Sequence, residues 1–443
     1  MTVCPIPDFI ADILARFDGA GVEAFCVGGC VRDALRGVPP HDWDLCTAAR
    51  PEETRALFCD CAVIETGIRH GTVTVLWPPH PTASPERATV SKETVSKETI
   101  SKETVSWKET FSHETVSRIP VEITTYRVDG DYQGHRAPKQ VTFSSSLAED
   151  CRRRDFTVNA MAYHPTLGLH DFFGGREDLE HRVLRCVGDP AARFSEDALR
   201  ILRALRFSSV LDFTVDGKTA EAIHACSRLL LEISGERIVA EWKKLLTGSR
   251  AAEILSEYRD VTAVFLPALS RIPEPNRLAG AFAYIKEEKK RMAAVLYLCD
   301  IKTADDARTA LSPLPFDRAF SDGTARLVGM ADLPIPATRY DMRQIVSQFG
   351  ADDTRSYLRI KHALFPESAG LCTAALACLD TVLADRDPVR VTDLAVNGAD
   401  LASLGFRGKE IGDALAQLLD CVMREEIANE RTSLLETARR MKG

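Results

Sequence analysis

The N-terminal segment follows two hydrophobic periods in turn. Residues 7–17 carry apolar side chains at helical spacing and predict an amphipathic helix that ends at the glycines just after it. Residues 23–27 predict a strand that runs into a glycine pair. A second helix is predicted from residue 31 to residue 35, and a second strand over residues 43–46. The chain therefore opens with a helix, a strand, a glycine turn, a helix and a strand.

Two strongly β-prone runs, Gly71–Trp77 and Ile119–Tyr126, come next. Between them, residues 89–117 repeat Val-Ser-Lys-Glu-Thr with a period of five. This period matches neither a helix nor a packed solenoid, and the segment is polar and nearly balanced in charge. We predict a disordered or loosely structured insertion over about residues 88–118, at a hairpin tip where added length costs little loop-closure entropy.

From Asp178 onward the hydrophobic pattern is helical. Ser195 is a favourable N-cap for a helix predicted to begin at Glu196, and Ser234 starts another helix in the same way. Amphipathic helices then alternate with joints that contain proline or glycine. The pattern predicts an α+β protein, with a mixed α/β head followed by an all-helical body and tail.

Composition narrows the class of protein. The 443 residues are 45% hydrophobic and 27% charged, as in an ordinary globular protein of two to four compact units. We find no run of about 18 apolar residues and no signal peptide, and therefore expect no membrane span and a cytoplasmic location. The 13 cysteines contain no CxxC pair, which favours reduced thiols over a zinc site.

The formal net charge of −8 does not by itself favour nucleic-acid binding. Affinity for phosphates depends on clustered lysine and arginine, and the chain has such clusters. The arginines concerned are Arg152, Arg153, Arg154, Arg176, Arg182, Arg185, Arg193, Arg200, Arg203 and Arg206. A positive face on an acidic protein is therefore compatible with the sequence.

The glycine turn and the acidic residues after it suggest a chemistry. Gly28 and Gly29 lack a Cβ, so their backbone can approach a polyphosphate closely, and Arg32 adds a fork of donors for phosphate oxygens. Asp42 and Asp44 are spaced i, i+2 and point to the same side if they lie on a strand. Two convergent carboxylates can hold hard divalent cations against a nucleoside triphosphate. Either element alone is more often a turn or a solvated surface.

Three further positions extend this hypothesis. Glu122, on the strand after the repeat, is either a third carboxylate of the acidic cluster or an exposed strand residue. Arg153 or Arg154 could grip a triphosphate or a ribose, and Asn159 could bond a sugar hydroxyl. The alternative is a basic surface turn before a helix.

Asp197 and Arg200 are spaced i, i+3 and are therefore neighbours on one face of the predicted helix, which Arg203 and Arg206 extend. A simple intrahelical ion pair is one interpretation. Another is base recognition, because cytosine and adenine both present an exocyclic amine beside a ring-nitrogen acceptor. An aspartate acceptor next to an arginine donor matches both bases and mismatches uracil and guanine.

Taken together, the motifs of this chain resemble those of class II tRNA nucleotidyltransferases, the bacterial CCA-adding enzymes and their poly(A) polymerase relatives. The resemblance spans nearly the whole chain apart from the repeat. The motifs that carry it are Gly28-Gly-Cys-Val-Arg-Asp33, Asp42-Trp-Asp44, Glu122-Ile-Thr-Thr-Tyr-Arg127, Arg153-Arg-Asp-Phe-Thr-Val-Asn-Ala160, Gly188-Asp-Pro190, Glu196-Asp-Ala-Leu-Arg200, Ser234-Gly-Glu-Arg-Ile238, Val396-Asn-Gly-Ala-Asp-Leu401 and Gly405-Phe-Arg-Gly-Lys-Glu-Ile-Gly412.

The resemblance implies a fold and a layout. It implies a nucleotidyltransferase head of the polymerase β type, followed by a helical neck, body and tail. The expected divisions are a head at 1–178, a neck that recognises the base at 179–248, a body at 249–368, and a tail that binds tRNA at 369–443.

The resemblance also implies an activity: template-independent addition of C, C and A to the 3′ end of tRNA from CTP and ATP, by two-metal nucleotidyl transfer with release of pyrophosphate. No membrane or protein partner is implied. The residues expected to take part are Asp42 and Asp44 as Mg²⁺ ligands, Glu122 as a further catalytic residue, and Gly28, Gly29, Arg32, Arg153, Asn159, Asp197, Arg200, Arg203 and Arg206 on the nucleotide.

Several alternatives stay open at this point. Addition of CC only or A only, and poly(A) synthesis, are the rivals within the family. Residues 129–136 resemble the flexible segment needed to switch from C to A, and the C-terminal segment is not basic, so full CCA addition is favoured. A catalytically silent RNA-binding protein and a nucleotidyltransferase acting on small molecules are the rivals from other classes.

Overall fold

The computed structural model describes residues 4–78, 118–130, 141–273 and 275–442, and the backbone alone at 132–133 and 137–138. The predicted repeat of residues 89–117 lies outside these ranges. The chain forms two compact units: unit 1 comprises Met1–Ala204 and Phe213–Glu232, and unit 2 comprises Leu205–Asp212 and Ile233–Gly443. The finer division into head, neck, body and tail remains a prediction.

Unit 1 contains a mixed sheet of seven strands in the order β11-β10-β1-β2-β5-β4-β3. Strands β2 and β5 are parallel, and the other neighbours in this sheet are antiparallel. The described strands are β1 (Ala24–Val27), β2 (Asp44–Thr47), β3 (Ala62–Ile64), β4 (Thr72–Trp77), β5 (Ile119–Thr125), β6 (Arg127–Asp129), β7 (Tyr132–Gln133), β8 (Ala137–Pro138), β9 (Val141–Phe143), β10 (Met161–His164), β11 (Gly168–Asp171), β12 (Val183–Leu184) and β13 (Thr214–Val215).

Helices surround this sheet in unit 1 and make up most of unit 2. Those that begin in unit 1 are α1 (Asp8–Gly19), α2 (Gly29–Leu35), α3 (Pro51–Leu57), α4 (Leu147–Arg152), α5 (Gly175–Glu180), α6 (Pro190–Glu196), α7 (Leu199–Leu211) and α8 (Gly217–Cys226). Unit 2 continues with α9 (Gly235–Thr247), α10 (Ala251–Glu257), α11 (Arg259–Ala263), α12 (Pro275–Tyr284), α13 (Glu288–Leu298), α14 (Ala304–Leu311), α15 (Arg318–Met330), α16 (Arg339–Phe349), α17 (Ala351–Leu364), α18 (Ala369–Ala384), α19 (Gly398–Ser403), α20 (Lys409–Met423) and α21 (Arg431–Lys442). The α+β class, with a helical C-terminal part, is confirmed.

The centre of the sheet is buried on both faces. Along β1, Cys26 packs with helix α1 on one side, whereas Phe25 and Val27 pack on the other side with Tyr126. Burial on both faces explains why this strand is apolar throughout rather than alternating. The packing fixes the end of β1, from which the glycine turn leaves.

The helix predicted to begin at Glu196 in fact begins at Leu199, so the prediction of its first turn is wrong. Ser195 and Glu196 are the last residues of α6, and the backbone is extended at Asp197 before α7 begins. Helix α6 starts early because the Asp189 carboxylate accepts a hydrogen bond from its first turn and a proline occupies its first position. Asp197 therefore lies at a joint between two helices, not on a helix face.

Unit 2 is stabilised by a buried arginine. The Arg291 guanidinium is almost fully buried, and it donates hydrogen bonds to the carbonyls of Leu246 and Gly248 at the end of α9. It also donates to the carbonyls of Phe282 and Ile285 at the end of α12. Helix ends leave carbonyls without helical partners, so this one side chain satisfies four carbonyls at two helix ends.

Among the described residues, one segment, Pro366–Ala384, is long and apolar enough to cross a membrane by length and composition. Our expectation that no such run exists is therefore too strict. A single helix of this kind is weak evidence, since core helices pass the same test. This one packs Cys372 and Leu379 into unit 2, and its Asp380 forms an ion pair with Arg355.

Candidate functional site

The glycine turn has the conformation that its sequence predicts. Gly28 has φ +87°, which disfavours any residue with a side chain, and α2 starts at Gly29 directly after it. A Cβ built on Gly28 would lie 3.2 Å from a terminal nitrogen of Arg154. Glycine is thus required here both for the backbone conformation and for the close approach of an arginine.

Arg32 is buried and held from two sides. Its guanidinium donates to both carboxylate oxygens of Asp33, at 2.9 and 2.7 Å, and to the Oδ1 of Asn159 at 2.7 Å. The structure therefore brings together two predicted site residues that are 127 positions apart. The amide nitrogen of Asn159 donates to Asp155, at 3.2 Å. Asn159 orients Arg32 here, and its contact with a sugar remains a prediction.

The acidic residues meet at the start of β2. Trp43 is buried whereas Asp42 and Asp44 are exposed, so the two carboxylates lie on the solvent side. Asp44 is paired in register with Glu122 on the parallel strand β5. Partial withdrawal from water and repulsion by Glu122 raise the pKa of Asp44 to about 6, although Arg154 opposes this shift. The site concentrates negative charge that a cation would relieve.

This donor set fits Mg²⁺. Carboxylate oxygens are the ligands that magnesium prefers, and it is commonly held by one or two carboxylates together with water and substrate phosphates. Within the part of the chain that the structure describes, no group of three His, Cys, Asp or Glu side chains could hold a metal ion. Asp42, Asp44 and Glu122 are therefore not preassembled as a three-residue metal site, and the role of each as a ligand remains a prediction.

A buried carboxylate, Asp150, organises the two arginines that follow it. It accepts hydrogen bonds from Arg153 at 2.9 and 2.7 Å and from Arg154 at 3.0 Å. Among the described residues, the Nε of Arg154 has no hydrogen-bond partner, and another of its nitrogens faces Gly28. Arg154 thus has one unpaired donor, its buried Nε, and places a terminal nitrogen at the glycine turn. From the residues, either Arg153 or Arg154 was predicted to bind the triphosphate, and the family resemblance implied Arg153 alone.

A signal for the arrangement was present in the sequence. Arg153 and Arg154 follow Asp150 at i+3 and i+4, the spacings at which helical side chains meet. A carboxylate at that distance from two adjacent arginines indicates a shared ion pair. The signal was not used because only tertiary packing shows that Asp150 is fully buried.

The residues predicted to recognise the base, Asp197 and Arg200, are held by contacts within unit 1. The Arg200 guanidinium contacts the Glu196 carboxylate and donates to the carbonyls of Arg193 and Arg153, each at 3.1 Å. The Oδ1 of Asp197 accepts from the backbone N–H of Leu199 at 3.1 Å. Arg200 is therefore tied to the segment that carries Arg153 and Arg154.

Arg203 and Arg206 differ in their surroundings. Arg203 donates to Asp155 at 2.8 Å, and this ion pair outweighs the burial that would otherwise raise the pKa of Asp155, so that its pKa is lowered. Asp155 thereby links Arg203 to Asn159, and the sequence analysis had given it no role. Arg206 belongs to unit 2, where it pairs with Glu241 at 2.7 Å. Its contact with a nucleotide remains a prediction.

Replacing Asp44 with Asn is expected to raise the thermal unfolding midpoint of the metal-free protein. The folded-state pKa of Asp44, about 6, exceeds its ordinary value of 3.8, so ionisation of this carboxyl favours unfolding. The increase in the unfolding midpoint should be present at about pH 7.5 and should shrink as the pH falls towards 3.8, the ordinary pKa of this carboxyl. Calorimetry of both proteins with chelator measures it. An equal midpoint at the higher pH contradicts the raised pKa.

Comparison with known proteins decides the family. A domain model described as "Poly A polymerase head domain" matches residues 24–118 and 82–185, and one described as "Probable RNA and SrmB- binding site of polymerase A" matches residues 212–271. The CCA-adding enzyme of Lacticaseibacillus paracasei is 33% identical, over 98% of this chain and 97% of that protein. The chain belongs to the class II CCA-adding enzyme family. It is therefore a nucleotidyltransferase.

Other members of this family give the same result. The CCA-adding enzyme of Geobacillus kaustophilus is 33% identical over 94% of this chain and 92% of its own length. The structure of the Bacillus stearothermophilus CCA-adding enzyme in complex with CTP matches with a TM-score of 0.75 and 27% identity, over 98% of this chain and 97% of that chain. The Thermotoga maritima enzyme has the same fold, with a TM-score of 0.63 at 18% identity over 99% of this chain and 97% of its own.

Proposed function

We propose that this protein adds C, C and A, in that order, to the 3′ end of tRNA, using CTP and ATP and no nucleic-acid template. The observation that carries the proposal is the presence of three features in unit 1: the Gly28 turn, the Arg154 guanidinium beside it, whose Nε has no hydrogen-bond partner, and the exposed carboxylates Asp42 and Asp44. Together they suit a nucleoside triphosphate with its metal. The Bacillus stearothermophilus relative is described in complex with CTP, and the Thermotoga maritima relative with a tRNA.

The chain's own residues would bind and orient the triphosphate. The backbone N–H of Gly29 and the Arg154 guanidinium lie at the same turn, which suits phosphate oxygens, whereas the N–H of Gly28 already donates to the carbonyl of Met161. Arg153 stays on Asp150 at the edge of this surface. The 3′ hydroxyl of tRNA then attacks the α-phosphorus, a new phosphodiester bond forms, and the bond to the β-phosphate breaks, releasing pyrophosphate.

Asp42 and Asp44 would hold Mg²⁺ in this reaction, on two sites when the nucleotide is bound. Such ions supply a lowered pKa for the attacking hydroxyl and neutralise charge on the triphosphate. The protein would keep both carboxylates at the start of β2, beside Glu122 and close enough to Arg154 for electrostatic interaction.

Base selection would be performed by Asp197 and Arg200. The carboxylate of Asp197 would accept from the exocyclic amine of cytosine or adenine, and the guanidinium of Arg200 would donate to the neighbouring ring nitrogen. Uracil and guanine present the opposite polarity and would leave buried groups unpaired, which is costly. Glu196 and two backbone carbonyls hold the Arg200 guanidinium in place. This supports the assignment, because a rigid donor discriminates between bases better than a mobile one.

An end-extension assay tests the proposal. Purified protein is incubated with Mg²⁺ and a tRNA that lacks its CCA end, with CTP, ATP or both, and the product ends are sequenced. We expect CC with CTP alone and CCA with both nucleotides. A ladder of A residues would show poly(A) synthesis instead, and CC with both nucleotides would show a CC-adding enzyme. No extension under any condition would contradict the proposal. A cytoplasmic location is consistent with this function and remains a prediction.

A further inference from the structure

Asp150 is a carboxylate that contacts no solvent, since it is 0% exposed in unit 1. It lies on α4, whose first turn is capped by Ser146. Removing a carboxylate from water costs several kcal/mol unless charged partners and hydrogen bonds replace the water. Arg153 and Arg154 replace it, and Arg154 lies beside the glycine turn at which the triphosphate is proposed to bind.

The contacts of Asp150 divide between its two oxygens. One oxygen accepts hydrogen bonds from the Nε and a terminal nitrogen of Arg153. The other oxygen accepts a hydrogen bond from a terminal nitrogen of Arg154. Each arginine keeps part of its guanidinium free of this carboxylate. Asp150 therefore fixes the direction of both side chains without consuming all of their donors, as a preorganised anion site requires.

The same carboxylate also reaches the backbone where β5 ends. The N–H of Arg127 donates to it at 3.4 Å, directly after Tyr126, whose own N–H donates to the carbonyl of Thr47. Arg127 begins the hairpin formed by β6 and β9. Asp150 thus touches both the arginine pair and the root of a hairpin beside it.

We propose that Asp150 is a positioning residue, which aims Arg153 and Arg154 at the triphosphate and joins them to the root of the β6–β9 hairpin. The inference rests on the proposed function only in taking a triphosphate as the ligand. An ordinary buried ion pair would contribute to stability alone. A positioning residue also alters nucleotide affinity, and it does so only while its arginines are present.

The first test is Asp150→Asn in the full-length protein, with steady-state kinetics for CTP and ATP. We expect KM for both nucleotides to rise about tenfold and kcat to change less than about threefold, since charged hydrogen bonds to the triphosphate weaken. The matched control is Asp178→Asn. Asp178 is also buried in unit 1, and it accepts hydrogen bonds from Thr157 and from an arginine, Arg185, rather than from Arg153 or Arg154. Its variant should lose stability and keep KM unchanged.

The second test asks whether Asp150 acts through its arginines. In a variant carrying Arg153→Gln and Arg154→Gln, a further Asp150→Asn change should alter KM by less than about twofold, because the coupled residues are already gone. Asp150→Asn alone leaves the charges of Arg153 and Arg154 without their buried partner, whereas the triple variant removes all three charges. The triple variant can therefore still be measured if Asp150→Asn alone unfolds. An equal rise of KM in both backgrounds, or no rise in either, would overturn the inference.

Binding without catalysis separates this inference from the proposed function. Calorimetric titration with inorganic tripolyphosphate should show weaker binding by Asp150→Asn than by the parent protein. Hydrogen exchange at Tyr126 and Arg127 should slow on adding tripolyphosphate to the parent and not to the variant. Failure of the parent to extend tRNA would reject the proposed function alone. Unchanged tripolyphosphate affinity in the variant would reject the positioning role alone.

Discussion

The double variant Asp42→Ala, Asp44→Ala is expected to add nucleotides to a truncated tRNA at least about a thousandfold more slowly than the parent protein. Both carboxylates are exposed at the start of β2, and they are the hard oxygen ligands from which a magnesium site can be built there. Without them, no metal ion would be held there to neutralise charge on the triphosphate and to lower the pKa of the attacking hydroxyl. Single-turnover measurement with saturating CTP isolates this step from tRNA binding.

Two controls make the result interpretable. Glu52→Ala removes an exposed carboxylate from α3 in the same unit and should leave the rate unchanged. Thermal unfolding of the double variant should show an intact fold, since both side chains are exposed. An extension rate close to that of the parent would mean that the metal is held elsewhere, and the proposed mechanism would have to be abandoned.

The variant Asp197→Asn is expected to change which base is added. The carboxylate only accepts hydrogen bonds, whereas the amide presents either an acceptor oxygen or a donor nitrogen, so it can accept from the amine of cytosine and can also donate to the carbonyl of uracil. Because buried unpaired groups dominate such discrimination, we expect the preference for CTP over UTP to fall by about 100-fold. Competition between the two nucleotides, read by sequencing the product ends, measures this ratio.

A neighbouring residue supplies the comparison. Glu196 contacts the Arg200 guanidinium and precedes Asp197 directly. Glu196→Gln should loosen Arg200 and slow incorporation of CTP and ATP to a similar extent, with little gain for UTP. If Asp197→Asn keeps the CTP preference of the parent, Asp197 does not read the base.

Local sequence was enough to predict the glycine turn and the acidic pair. The conformation of Gly28 follows from its missing Cβ, and Trp43 is buried between two exposed aspartates, although only Asp44 lies in β2. The boundary between α6 and α7 was predicted wrongly, although it is also local. Asp189 followed by proline is a stronger helix start than Ser195, so the helix begins at Pro190 and ends before Asp197.

The choice between Arg153 and Arg154 could not be made from sequence. Adjacent arginines have the same composition and the same charge, and only the packing of α4 against the sheet shows which one faces Gly28. The same holds for Asn159, which turned out to hold Arg32 from across the fold.

The sequence by itself determined the family, the class of fold, the turn and the acidic pair, because these depend on residue type and on spacings of a few positions. The tertiary structure alone decided which side chains support the site. Asp150 and Asp155 became visible only once burial and partners were known, at 0% and 8% exposure. The physical reason is that the cost of burying a charge, and the partners that offset it, depend on segments far apart in the chain.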